Sequence, residues 1–151
     1  MKKVLAFLLC CMVIMGQVCI VRADYMTNFP NQNRTYYVQR YTRGLQVMLY
    51  DHKSSYDYIK YGGVDGSYGE MTESAVIAFQ NNRNITADGK CGKQTWTKLR
   101  DTLKLDRDHS TSNTSYYYMT GNISGTNRCM YVNVSKNTWY CYNKGTWYYV
   151  G

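Results

Sequence analysis

The sequence predicts an α+β protein, with a small three-helix domain followed by a short C-terminal antiparallel β-meander. The helical part rests on a repeat: Asp-Gly-x-x-Gly-x-x-Thr occurs at Asp65–Thr72 and again, 23 residues on, at Asp88–Thr95. Each copy opens a stretch whose apolar residues recur at helical spacing. The sheet rests on the last residues, CMYVNVSKNTWYCYNKGTWYYVG, which alternate around two turn-like triplets. That is the period of half-buried strands.

Taken in order, residues 1–23 hold two lysines, a long apolar run broken by Gly16-Gln17, and Val21-Arg22-Ala23. This is the layout of a signal peptide cut after Ala23. An uncleaved anchor is the alternative, because the 18 residues from Val4 to Val21 are just long enough to span a bilayer, where a helix needs about 20. Cleavage is the preferred reading, and it predicts an exported protein free of the membrane. Of the 18 Lys and Arg, Lys2, Lys3 and Arg22 leave with this segment, so 15 basic side chains face 10 acidic ones. A basic exported chain suits an anionic envelope. Its cations are dispersed rather than striped along one helix, which argues against nucleic acid. All 17 tyrosines lie beyond the cut, an aromatic surplus suited to stacking on sugars or to packing.

Residues 24–35 read as an N-terminal extension and 36–103 as the helical domain. Val38, Tyr41, Leu45, Met48 and Leu49 form the first stripe. The stretch DHKSSYDYIKYGG that follows reads as a polar loop. A second helix starts near Gly69 or Glu70, with Thr72, Ala75, Val76, Phe79 and Arg83 on one face. Glu70 and Glu73 suit its positive end. A third runs from about Lys93 through Trp96, Leu99 and Leu103. The predicted core is Leu45, Leu49, Val76, Phe79, Trp96 and Leu99. In each loop the Asp side chain, Asp65 or Asp88, accepts backbone N–H bonds two residues on. Gly66 or Gly89 takes a positive φ. Gly69 or Gly92 turns the chain into its helix, and Thr72 or Thr95 sits in the first turn. All of these read first as turn formers. Gln80, after the core Phe79, suits either a ligand contact or the tying of a loop backbone.

These motifs carry a resemblance. GLQVML at 44–49, VDGSYGEMTESAVIAFQ at 64–80 and ITADGKCGKQTWTKL at 85–99 make residues 36–103 similar to the peptidoglycan-binding domain found at the ends of many bacterial wall hydrolases. The resemblance implies a three-helix fold and adhesion to peptidoglycan or another cell-wall glycan, with the groove near the repeated loops. Family members usually have Pro where this chain has Glu70 and Lys93, and a β-branched aliphatic residue at Cys91. Tyr68, Arg83 and Trp96 are the expected ligand contacts, as aromatic faces or a guanidinium beside the loops, although Trp96 also fits the core.

Residues 104–128 are polar and read as a linker. In the meander, 129–151, alternation places Met130, Val132, Val134, Tyr140, Tyr148 and Val150 on one face. Tyr131, Trp139, Trp147 and Tyr149 fall on the other, with Cys129 and Cys141. Trp139 and Trp147 are the tail's expected ligand contacts. A Cys129–Cys141 disulfide is expected across the first turn, leaving Cys91 buried and inert. Two histidines, His52 and His109, offer no ligand spacing for a metal, so no cofactor is expected. A linker explains Asp101, Asp106 and Asp108 better than a glycosidase pair does. The function read from the sequence is therefore a secreted, non-catalytic wall-binding protein. The alternatives are a secreted adhesin or assembly subunit using the Tyr-rich tail on a surface protein, or the targeting subunit of a wall hydrolase.

Overall fold

The computed structural model describes residues 24–106, 108–119, 130–133 and 136–151. The signal segment, Cys129 and Val134 lie outside the described residues. A 3-10 helix, Asp24–Asn28, is followed by α1 (Gln39–Asp51), α2 (Tyr56–Gly62), α3 (Glu70–Asn82) and α4 (Lys93–Thr102). Five strands follow among the described residues: β1 (Leu103–Asp106), β2 (Thr114–Met119), β3 (Met130–Asn133), β4 (Thr138–Asn143) and β5 (Thr146–Tyr149). They form one antiparallel sheet in sequence order. The fold is α+β, as predicted.

The six expected core residues are all fully buried. Each large apolar side chain withdrawn from water contributes about 1.5–3 kcal/mol, and the helical stripes bring them to one centre. The extension is part of this core. Met26 and Phe29 are buried, and the Phe29 ring meets Trp96 edge-on at 5.2 Å and Tyr41 at 4.9 Å. Gln32 exchanges two backbone hydrogen bonds with Cys91, at 3.1 and 2.9 Å. Its side-chain Oε1 accepts from Val38 N–H and Thr42 Oγ1 at the start of α1.

Three expectations need correction. The stretch read as a polar loop contains α2, which buries Ile59 and whose preceding Ser55 donates to the Ala75 carbonyl of α3 at 2.9 Å. A helix of seven residues is too short to show a clear apolar period. The stretch read as a linker contributes β1 and β2. Leu103 and Leu105 pack on the core while Lys104 and Asp106 alternate with them, so strand period hides inside polar composition. In the meander, Asn133 pairs with Thr138 and Val132 with Trp139. Four residues rather than three therefore separate β3 from β4, and a one-residue change exchanges the two faces of a strand. Trp139 and Cys141 point inward beside Met130, Val132 and Val150, all buried. Tyr140 faces outward.

Cys141 lies opposite Met130 and is a free, buried thiol, as is Cys91. The expected disulfide is not formed. Burial pushes the Cys141 thiol up to about 12 and the Cys91 thiol well above its ordinary value, so both stay protonated and unreactive.

The sheet docks on α1. A side-chain carbon at Gly44 would lie 2.9 Å from Val150 Cγ1, so the glycine lets helix and sheet end meet. Asn143 Nδ2 donates to the Val64 carbonyl at 3.3 Å. The Arg43 guanidinium lies 4.8 Å from the centre of the Tyr148 ring.

Candidate functional site

The two Asp-Gly loops are built from the same parts. In the first, Gln46 Nε2 lies 2.9–3.0 Å from Asp65 Oδ1, the Ser67 carbonyl and Thr72 Oγ1, sharing its hydrogens among them. Gln46 Oε1 accepts from Gly66 N–H at 2.7 Å. In the second, Gln80 Nε2 reaches Asp88 Oδ1, the Lys90 carbonyl and Thr95 Oγ1 at 2.9–3.0 Å, and Oε1 accepts from Gly89 N–H at 3.0 Å. Each Asp also accepts from the backbone two residues on, from Ser67 N–H at 2.8 Å and Lys90 N–H at 2.9 Å. One buried amide thus closes each loop and satisfies groups that would be costly to bury unpaired. Sequence reasoning alone missed Gln46. The available signal was its place after Leu45, matching Gln80 after Phe79.

Gly66 and Gly89 have φ of +84° and +69°, a region that disfavours side chains. A side chain at Gly89 would also strike Glu73 Cγ at 2.8 Å. Gly69 and Gly92 adopt the same extended N-cap geometry, near −90° and −173°. Burial pushes the Asp88 carboxyl up. The Lys90 N–H, the Gln80 amide and the Lys90 charge pull it down, and the net result is below the ordinary value.

Beside the second loop lies a cleft of about 270 Å³. Asn31 and Asn33 of the extension form one side, and Thr86, Asp88, Lys90, Lys93 and Gln94 form the other. Its lining offers amides, hydroxyls and two lysines at the opening of α4. Such groups pair with the hydroxyls, amides and carboxylates of a polar ligand. Among the described residues, no group of three His, Cys, Asp or Glu could hold a metal ion.

The expected contacts are not brought together. Tyr68 is buried, and its hydroxyl donates to the Gly89 carbonyl at 2.7 Å, so it joins the two loops. Burial also pushes its ionisation upward. Trp96 is core, with Nε1 donating to the Pro30 carbonyl at 3.2 Å. Trp139 is core as well. These three have no surface to offer a ligand. Arg83 is half-buried, its guanidinium 2.8 Å from His52 Nε2 and 5.5 Å from the Phe79 ring centre. Trp147 is half-exposed on the outer sheet face. The cleft residues Asn31, Asn33, Lys90, Lys93 and Gln94 were missed, because only tertiary packing lays the extension against the loop.

Two glutamine-clasped loops, each opening a helix of one small core, define a helical module used twice in outline. Residues 43–99 match the family model of the peptidoglycan binding domain, and this segment of the chain carries that domain. The match ties it to the cell wall. No curated protein and no solved structure matches the chain.

Proposed function

We propose that the chain is an exported, non-catalytic protein that holds peptidoglycan in the cleft beside the second Asp-Gly loop. The supporting observation is the cleft's donor set on a domain of this family: Asn31, Asn33, Lys90 and Lys93 around a rigid, glutamine-clasped loop. A rigid loop loses little freedom on binding, which favours affinity. The histidines have other partners, His52 with Arg83 and His109 with Asp106 at 3.1 Å, which supports binding without chemistry.

Sedimentation of the full chain with purified peptidoglycan tests this reading. The protein should pellet, release no soluble sugar or peptide, and dissociate as salt rises, because exposed charges are screened over about 8 Å at physiological ionic strength. Lys93→Glu should lower retention several-fold without lowering the melting temperature of the core. Retention unaffected by Lys93→Glu and Asn33→Ala together would place the site elsewhere. Release of soluble fragments would make the protein an enzyme.

A further inference from the structure

The outward face of the sheet carries a second aromatic system that the helical cleft does not use. Tyr116, Tyr131, Tyr140 and Tyr149 stand directly opposite one another across β2, β3, β4 and β5. Their neighbouring ring centres are 5.5, 4.5 and 5.7 Å apart, and Tyr131 and Tyr140 are stacked to within 8°. Trp147 lies across this row, 4.6 Å from Tyr131 and 5.8 Å from Tyr116. Tyr142 is its cross-strand partner, with ring centres 5.0 Å apart.

The row divides into support and surface. Tyr116, Tyr131 and Tyr140 turn faces or edges to one another and are half-buried. They hold Trp147 in place. Tyr142 and Tyr149, on either side of it, are 42% and 48% exposed. The most open rings are therefore mounted on a pre-packed aromatic layer, which lowers the ordering cost of binding. Tyr149 lies on the edge strand β5, and Tyr142 on its neighbour β4.

Ring chemistry and charge select the occupant. The described outward positions of the sheet hold Tyr, Trp, Thr, Asn, Lys and Asp but no Leu, Ile, Val or Met, so the face offers aromatic planes, hydroxyls and amides rather than an aliphatic patch. The Arg40 guanidinium lies 5.9 Å from the Tyr149 ring centre, and Lys144 is exposed in the β4–β5 turn. The sheet's outward carboxylate, Asp106, sits at the opposite edge with His109 at 3.1 Å. Rings with hydroxyls at their rims, flanked by cations, complement a polymer with flat C–H faces, hydroxyl edges and carboxylates.

We propose that Tyr142, Trp147 and Tyr149 form a platform for the polysaccharide strand of the wall, separate from the cleft. Two sites on one rigid body would engage one polymer at high effective concentration. The proposal shares its polymer with the cleft reading but none of its residues.

The probe is glycan strands stripped enzymatically of their stem peptides, added to the full chain. Trp96 and Trp139 are buried, so acrylamide quenching reports chiefly on Trp147. Stripped glycan should reduce that quenching at least twofold. Tyr142→Ala with Tyr149→Ala should weaken about tenfold the glycan binding that protects Trp147. An unprotected Trp147 at saturating glycan overturns the platform, and that wild-type result stands even if the double variant folds poorly. Wild-type binding by a folded double variant overturns it as well. Intact-wall retention that responds to Lys93→Glu, with Trp147 unprotected, removes the platform and keeps the cleft. Protection by stripped glycan, with Lys93→Glu and Asn33→Ala silent on intact wall, removes the cleft and keeps the platform. Protection only by walls retaining their attached proteins makes the occupant a protein and overturns the glycan assignment.

Discussion

Gln46 and Gln80 show how much one side chain can organise. Each is about 1% exposed, and each bridges a loop carboxylate, a carbonyl, a threonine hydroxyl and a glycine N–H. Gln80→Glu keeps the shape, loses both amide hydrogens and places a second carboxylate against Asp88. Unfolding by denaturant should show a loss of about 2–4 kcal/mol near neutral pH. The deficit relative to wild type should shrink as acid lets the two carboxylates share a proton. A pH-independent deficit would show that lost hydrogen bonds alone account for it. His52 carries a second pH signal. Burial and the Arg83 guanidinium push its pKa down to about 4 from 6.5. Between those values the unfolded chain binds more protons than the folded one, so stability falls as pH drops through 6.5 toward 4. The contribution is complete above that window, and its full loss is on the order of 2–3 kcal/mol. His52→Gln keeps an acceptor for Arg83, and it should flatten the acid limb of the stability curve in that range.

The N-terminal ends of α3 and α4 lack side-chain caps, and Lys93 puts a cation at the positive end of α4. Lys93→Pro presets φ at the first helical position, where no intrahelical N–H bond is lost, and the preceding Gly92 is already extended. The substitution should stabilise the fold by about 0.5–1 kcal/mol. It should also weaken wall retention, since Lys93 lines the cleft, and a thermal melt beside the sedimentation assay checks both. Helix-to-sheet docking offers a sharper test of packing. Gly44→Ala pushes a methyl group against Val150 and should cost about 1–3 kcal/mol, visible as a lower denaturation midpoint. Tolerance of the methyl would mean that the β5 end adjusts easily on α1.

For the whole molecule, the extension, helices and sheet share one core. Met26, Trp96, Leu45, Trp139 and Val150 belong to the same buried cluster. The chain should therefore unfold in a single transition, followed equally by tryptophan fluorescence and helical circular dichroism. A chain ending at Thr102 loses the sheet that covers Gly44 on α1 and should melt well below the full chain. Phe29→Ala should cost about 3–5 kcal/mol, although a reading limited to residues 36–103 leaves Phe29 outside the domain. Separate transitions for helices and sheet would overturn the common core.

Local physics made the helical unit legible. Asp-Gly turns, first-turn threonines and 3.6-residue stripes act between near neighbours, and they located α1, α3, α4 and all six expected core residues. The resemblance carried by those motifs agrees with the family match at 43–99. Strand alternation likewise showed that the tail is sheet. The rest depended on distant partners. Whether Trp139 or Tyr140 faced inward turned on one residue in a turn, because strand faces exchange at every step. Leu103 and Leu105 became strand residues because the core was there to receive them. Asn31 and Asn33 became cleft residues because Gln32 pairs with Cys91, 59 positions along the chain. The sequence by itself determined the repeated loops, their helices and the family resemblance they carry, since each is written within a few consecutive residues. Only the tertiary structure decided which aromatic rings were core and which stood on the surface, since burial is settled by what packs against a side chain.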